Sequence, residues 1–258
     1  MTERPAAGLE RLEPRFLNAG NAGPFTLDGT RTYLVGNRNV VVIDPGPDAQ
    51  EHVRALVVAL EKADEVRIVL THGHADHAAA ARPLAHALGA EVLGPRIPEV
   101  DRVIEDGDTI ETDQGSLVAV HTPGHALEHL CFQWPAARAL FAGDVLLGEG
   151  DTTWVAEYRG CVADYLDSLK RLRALDLDVI YPTHGPPLED AIGAIERFDA
   201  HRRERVRQVE AALPKLPRFD VDDLMTHVYG DTVPDGLHGA AARSLAALVD
   251  YVRGVRRT

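Results

Sequence analysis

Three imidazoles and a carboxylate fall within six residues in the segment Thr71-His72-Gly73-His74-Ala75-Asp76-His77. Histidine is neither a strong helix former nor a strong strand former, so this crowding does little for folding. Neutral imidazole and carboxylate are ligands that zinc and other divalent transition metals accept. His72 and His74 alternate along an extended segment, so both rings can point the same way. Asp76 and His77 are adjacent and diverge, so one loop can feed two metals. It completes neither, because catalytic zinc takes three protein ligands plus water and structural zinc takes four. His125 follows Thr122-Pro123-Gly124, Asp144 follows Phe141-Ala142-Gly143, and His184 follows Tyr181-Pro182-Thr183. Each lies beside a glycine that permits close approach. A carboxylate such as Asp144 can bridge two cations, and a bridging hydroxide is then available at neutral pH because metals acidify bound water.

These residues need elements to position them. Residues 32–36 and 39–44 read as two strands joined by a tight turn at Asn37-Arg38. Residues 49–62 have helical spacing, and the apolar run 66–70 reads as a buried strand feeding the histidine cluster. Asp76 through Leu88 reads as one helix, with Asp76 at its favourable N-terminal end. Strands are expected at Val92-Leu93 and at 116–122. A hairpin is expected over 129–134 and 138–143, a helix over 162–175, and a strand over 178–183. A strand followed by a polar ligand thus occurs four times, which predicts strand ends converging on one edge of a layered α/β fold. Beyond residue 190 only helices are expected: a long charged one over 190–213, broken by Pro214 and Pro217, one starting at an Asp220 cap, and one over 238–253.

Length and composition bound the rest. The chain has 258 residues, 45% of them hydrophobic, which suits one large domain or a domain with a small appendage. No apolar run is long enough to span a bilayer, and the charged N-terminus lacks a signal-peptide core, so the expectation is a cytoplasmic protein without membrane contact. Two cysteines, Cys131 and Cys161, are too few for a disulfide framework. A net charge of −13 gives no overall basic field for nucleic acid.

The string His-Gly-His-Ala-Asp-His resembles the HxHxDH signature of the metallo-β-lactamase superfamily. His125, Asp144 and His184 match that family's later metal motifs in order and context, and Asp44 matches its early structural aspartate. The resemblance covers about residues 24–190. It implies a four-layer αββα sandwich of the α/β class carrying two zinc ions. His72, His74 and His125 would hold one metal, Asp76, His77 and His184 the other, and Asp144 would bridge them. Asp76 would also orient the nucleophile. True β-lactamases of the family usually carry cysteine at the Asp144 position, so the aspartate points away from antibiotic hydrolysis.

Residues 24–36, 41–47, 120–132, 181–190 and 201–205 look like the β-lactamase-like-protein-2 subgroup. That subgroup appends a small winged-helix-like domain, which implies a catalytic domain over 1–190 and a helical, truncated winged-helix-like appendage over 191–258. Arg31, Ala78-Ala79-Ala80 and Glu128 depart from its pattern, and the terminal wing is expected to be missing. The first functional expectation is a binuclear hydrolase of an ester or thioester small-molecule substrate, glyoxalase-type cleavage included. The alternative is a single-strand-specific endoribonuclease, with single-stranded RNA as partner. That reading rests on Arg202, Arg203, Arg205 and Arg207 and requires a basic groove leading to the metals. A non-catalytic scaffold is the third reading, and the complete ligand set argues against it. His121 and His129 could orient a ligand ring, while His86, His201, His227 and His238 read as surface or packing residues.

Overall fold

The computed structural model describes residues 12–215, 220–230, 233 and 235–254. The charged N-terminal stretch therefore falls largely outside the described residues, as does Pro217. Two sheets lie face to face. The first runs β1 (Arg15–Asn18), β2 (Arg31–Val35), β3 (Asn39–Ile43), β4 (Glu65–Val69), β5 (Glu91–Gly94) and β6 (Arg102–Val103) in spatial order. Its β3 to β6 are parallel. The second runs β11 (Val179–Pro182), β10 (Ala139–Gly143), β9 (Leu130–Trp134), β8 (Leu117–His121) and β7 (Thr109–Ile110). Because β8 and β10 are each antiparallel to β9, and β11 is parallel to β10, β8, β10 and β11 all end at the same edge.

Between the sheets, Tyr33, Val41, Ile43 and Val69 pack on Phe132, Trp134, Phe141 and Val179 in one buried cluster. Each such side chain contributes roughly 1.5–3 kcal/mol on burial. Helices α1 (Gln50–Ala59), α2 (Ala75–Ala78) and α3 (Ala81–Leu88) follow in the first half of the chain. They cover the outer face of the first sheet through Leu56, Ala78 and Leu84. α4 (Cys161–Arg173), α5 (Ala191–Ala212), α6 (Val221–Tyr229) and α7 (His238–Val252) complete the fold. They form the opposite outer layer, in a single buried cluster with Leu140, Ala142 and Ile180 of the second sheet. Asp220 caps α6 by accepting from the Asp222 N–H at 2.9 Å. No helix among the described residues is long and apolar enough to cross a membrane.

The single helix expected over 76–88 is two helices. The Ala80 N–H donates to the Gly46 carbonyl at 3.0 Å rather than continuing the turn of α2. Pro83, which has no N–H to donate, sits in the first turn of α3, where its loss is tolerated. The break leaves α2 as one turn that presents Asp76 and His77 and packs Ala78 on the first sheet. The two-residue edge strands β6 and β7 carry too short a pattern to show in the sequence.

Candidate metal centre and its cavity

All seven expected ligands come together at the shared strand edge. β4 leads into His72, His74, Asp76 and His77, β8 into the loop holding His125, β10 into Asp144 and β11 into His184. Their donor atoms form three overlapping groups, namely His72, His74 and His125, then His72, His77 and Asp144, then Asp76, His77 and His184. His72, His77 and His184 are wholly buried, while the side chains of His74 and Asp76 keep 30% and 32% of their exposure. The last two therefore mark the open side.

The outer partners decide which ring nitrogen faces inward. His77 Nδ1 lies 2.8 Å from Asp44 Oδ2, His125 Nδ1 lies 2.9 Å from the Trp154 carbonyl, and His184 Nδ1 lies 3.3 Å from the Gly29 carbonyl. Carboxylates and carbonyls only accept, so each Nδ1 carries the hydrogen and each Nε2 turns a lone pair inward. Thr71 Oγ1 donates to Asp44 Oδ2 at 2.8 Å, so it accepts from His72 Nδ1 at 3.0 Å, with the same result. His74 is the reverse case: Nε2 faces Glu157 Oε1 at 3.3 Å, leaving Nδ1 as the inward atom.

Inward, His74 Nδ1 lies 2.9 Å from His72 Nε2 and 3.0 Å from His125 Nε2. Asp144 Oδ1 lies 3.4 Å from His77 Nε2 and 3.5 Å from His184 Nε2, and its other oxygen lies 3.5 Å from His125 Nε2. His184 Nε2 also faces Asp76 Oδ2 at 3.2 Å. Three of these atoms, His77 Nε2, Asp144 Oδ1 and His184 Nε2, are buried without any hydrogen-bond partner. Facing lone pairs and a carboxylate oxygen repel unless a cation or proton lies among them, and buried polar atoms are rarely left unsatisfied. The donor set of five imidazoles and two carboxylates fits divalent transition metals.

Protonation without metal follows the same geometry. Burial raises the Asp144 carboxyl, but the His77 and His184 rings outweigh it and hold it well below the usual carboxylate range. Burial opposes charge on His77, yet Asp144 and Asp44 hold its pKa well above the usual imidazole range. His72 has burial and four neighbouring rings against it and is pushed well below that range.

Asp44 braces the whole edge. Buried, with its backbone in the left-handed region at φ 49°, it accepts from the Thr71 N–H and hydroxyl, His77 Nδ1 and the Thr183 hydroxyl. His129 touches no inward atom. Its Nε2 accepts from the Asp144 N–H at 3.2 Å and its Nδ1 faces the Thr122 hydroxyl, so it seats the Asp144 backbone. Gly143, at φ +50°, permits this approach, since a Cβ there would lie 2.5 Å from His129 Nε2. His121 ends β8, with Nε2 facing the Leu127 carbonyl. Arg31 pairs with Asp28, which accepts from the Gly185 N–H and so steadies the loop behind His184.

The site opens into a cavity of about 690 Å³ between the ligand loops and helices α5 and α7. His74, Asp76, His125 and Asp144 form one wall, and Phe25, Leu147, Trp154, Tyr229 and Leu237 contribute apolar surface. Residues 145–160 are where sequence reasoning missed functional positions: Trp154 and Glu157 hold His125 and His74, and Thr153 donates to the Asp144 carbonyl at 2.7 Å. A signal does exist there, because a long connection carrying a tryptophan and directly following a ligand is seldom idle. His201, expected on the surface or in packing, lines this cavity instead.

The metallo-beta-lactamase superfamily model matches residues 25–96 and 89–184. Lactamase-like protein aptB of Emericella nidulans is 36% identical over 75% of the chain, which spans 63% of that protein's length. The beta-lactamase-like protein 2 homolog of Caenorhabditis elegans is 31% identical over 82% of the chain and 75% of its own. The atrochrysone carboxyl ACP thioesterase of Aspergillus chevalieri is 33% identical over 90% and 78%. Among solved structures, a metallo-beta-lactamase family protein of Thermus thermophilus superposes with a TM-score of 0.75 at 23% identity, covering 93% of each chain. With the fold, the converging donors and these relatives in agreement, the chain belongs to the metallo-beta-lactamase superfamily, as a metal-dependent hydrolase akin to the beta-lactamase-like protein 2 group.

Proposed function

We propose that this hydrolase is binuclear and cleaves an ester or thioester of a small molecule. The observation that carries the reading is the cavity: about 690 Å³, partly apolar, and walled on one side by the ligands. That size suits a small-molecule substrate. His72, His74 and His125 would hold one divalent cation, Asp76, His77 and His184 the second, and Asp144, with one oxygen toward each set, would lie between them. Zinc is the expected metal from the nitrogen-rich donor set. When bound, such a pair supplies hydroxide at neutral pH and polarises the substrate carbonyl.

The chain's own residues do the rest. Asp76, part-exposed beside His184 at the cavity wall, orients the nucleophile and takes its proton. Glu157 and the Trp154 carbonyl hold the outer nitrogens of the His74 and His125 rings, so their inward lone pairs are fixed in direction. Phe25, Leu147 and Trp154 shed water around the acyl chain. Residues 191–258 are read as the appendage that supplies the opposite wall. Both cysteines are free, which suits a reducing cytoplasm.

The endoribonuclease alternative requires a basic groove, and the four arginines behind it divide. Arg203 pairs with Asp199 and Arg207 with Glu204 on the exposed side of α5. Arg202 and Arg205 line the cavity itself. That arrangement supports a small-molecule pocket over a track for a polynucleotide backbone. The test is a zinc-loaded panel of single-stranded RNA, acyl-CoA thioesters and simple esters. Thioester or ester turnover is expected. Salt-sensitive RNA cleavage without it would reverse the assignment.

A further inference from the structure

The cavity wall opposite the ligands has a feature that ester cleavage does not use. Arg202, Arg205 and Arg243 all line it. Surface arginines nearby, such as Arg159, Arg173, Arg203 and Arg207, meet carboxylates, but among the described residues none of these three does so within salt-bridge distance. In a chain of net charge −13, three guanidinium groups lining one cavity with no described carboxylate at salt-bridge distance are unexpected. Each lies instead over an aromatic ring: Arg202 over Tyr165 at 5.3 Å, Arg205 over Tyr229 at 4.7 Å and Arg243 over Trp154 at 5.6 Å. Stacking fixes the planes. Arg205 donates through Nη1 to Gln208 Oε1 and to the Val228 carbonyl, each at 2.9 Å, and Arg243 donates through Nε to the Gly239 carbonyl at 3.4 Å, so their remaining N–H groups are the ones a ligand would meet.

Arg202 is the decisive residue. It is only 3% exposed, its Nη2 donates to the Thr153 carbonyl at 2.8 Å, and its Nε has no partner. Two further buried atoms of residues lining the cavity, Trp154 Nε1 and His201 Nδ1, are also unpartnered among the described residues. Trp154 Nε1 can only donate, and the Arg202 guanidinium can only donate. A buried charge left short of partners is costly, so the wall is built for something that arrives with acceptor oxygens and negative charge. The distance to the chemistry is short, since the Trp154 ring lies 6.2 Å from those of His74 and His125.

We infer that Arg202, Arg205 and Arg243, with Trp154 and His201, form an oxyanion subsite that selects esters or thioesters carrying a second, negatively charged group remote from the scissile bond. The inference rests on the hydrolase reading above and names its substrate class. A carboxylate at the far end of the acyl chain and a phosphate on the alcohol or thiol side share this chemistry, so the experiment separates them.

The zinc-loaded chain is assayed with three matched thioesters: butyryl and glutaryl esters of N-acetylcysteamine, and the butyryl ester of pantetheine 4′-phosphate. One charged substrate is expected to exceed the neutral one in kcat/KM by about tenfold or more, the scale of one charge-assisted hydrogen bond. In Arg205→Gln and Arg243→Gln that charged-to-neutral ratio should collapse through KM, and Arg205→Lys should restore part of it. Glutaryl preference assigns the carboxylate and pantetheine phosphate preference the phosphate; a ratio near one in the unmodified chain overturns the subsite. A second readout needs no turnover. Glutarate and pantetheine 4′-phosphate are titrated against tryptophan fluorescence, since Trp154 lines the cavity and Trp134, the other tryptophan, is fully buried. Saturable change that Arg205→Gln weakens, without hydrolysis of any thioester, would keep the subsite and sink the hydrolase reading. Turnover with no arginine-dependent binding would do the opposite.

Discussion

On one wall of the cavity every imidazole has its far nitrogen held by a carboxylate, carbonyl or hydroxyl, and Asp44 alone accepts four of the hydrogen bonds behind them. On the other wall three guanidinium groups rest on aromatic rings with no carboxylate among the described residues at salt-bridge distance, and donors on Arg202 and Trp154 are left over. The first wall turns its donor atoms toward one another at its centre. The second is complete only with a ligand. The contrast separates where the reaction is set from where the substrate is chosen: rigid strand ends carry the one, and helices α5 and α7 carry the other. Residues 152–154 join them, because the Thr153 carbonyl accepts from Arg202 and the Trp154 carbonyl from His125.

The largest effect should come from the first wall. His74→Ala removes an inward nitrogen shared by two close contacts, yet His74 is part-exposed and makes no side-chain cap for α2. Hydrolysis should fall by about a thousandfold or more, the scale of losing a principal electrostatic group, while the thermal midpoint hardly moves. Activity retained in that variant would break the assignment of the ligand wall. Chelation should have the same consequence, reversed by zinc.

Asp44→Asn tests the bracing rather than the ligands. Asparagine tolerates the left-handed backbone, but its NH2 group meets donors where the carboxylate accepted. The metal-free chain should lose about 3 kcal/mol, and metal affinity should drop some 10–100-fold. Arg243→Ala, on the opposite wall, should stay within about 0.5 kcal/mol of the unmodified chain. Denaturant midpoints and metal titrations check both, and equal costs would erase the contrast.

The difference between the walls also explains what is legible in the sequence. His72 through His77 are contiguous, His125 and Asp144 each follow a strand-plus-glycine signal, and His184 follows a strand and precedes Gly185, so the ligand wall is local in sequence. Asp44 is marked by its position after β3. The opposing wall is assembled from residues 153–154, α5 and α7, which share no pattern. Arg202 and Arg205, three apart, and Arg203 and Arg207, four apart, both have helical-face spacing on a charged helix, and only packing shows that the first pair faces inward. The break between α2 and α3 is hidden for a similar reason, since it depends on a hydrogen bond to Gly46 from another part of the chain.

Thiol labelling compares the mobility of the two regions. Cys131 lies behind the ligand wall, takes a hydrogen bond from Thr122 at 3.2 Å, and burial pushes its thiol up to about 12. Cys161 packs in the same buried cluster as Cys131 but opens helix α4, whereas Cys131 sits within strand β9, and burial raises the Cys161 thiol as well. Neither should react with iodoacetamide at pH 8 in the closed protein. Under mild denaturant the helical layer, the layer a ligand completes, should open first, so Cys161 should label about tenfold faster than Cys131. The reverse order, read by peptide mass spectrometry, would mean that the ligand wall is the looser one.

The smallest effect lies in His201. Burial first, and then the cations of Arg205 and Arg202, push its imidazole below the usual range, while Asp151 pulls weakly the other way. The unfolded chain therefore takes up this proton first as pH falls. The contribution of His201 to stability is complete above about pH 6.5 and is lost as pH falls through the lower folded value. His201→Gln should accordingly flatten the stability profile slightly below pH 6.5 and leave it unchanged at pH 8. An oxyanion seated among the three arginines would supply the missing negative charge and move the His201 titration upward. Imidazole NMR with and without glutarate or pantetheine 4′-phosphate measures that shift directly. An unmoved titration at saturating levels of both would place the anion elsewhere and remove His201 from the specificity wall.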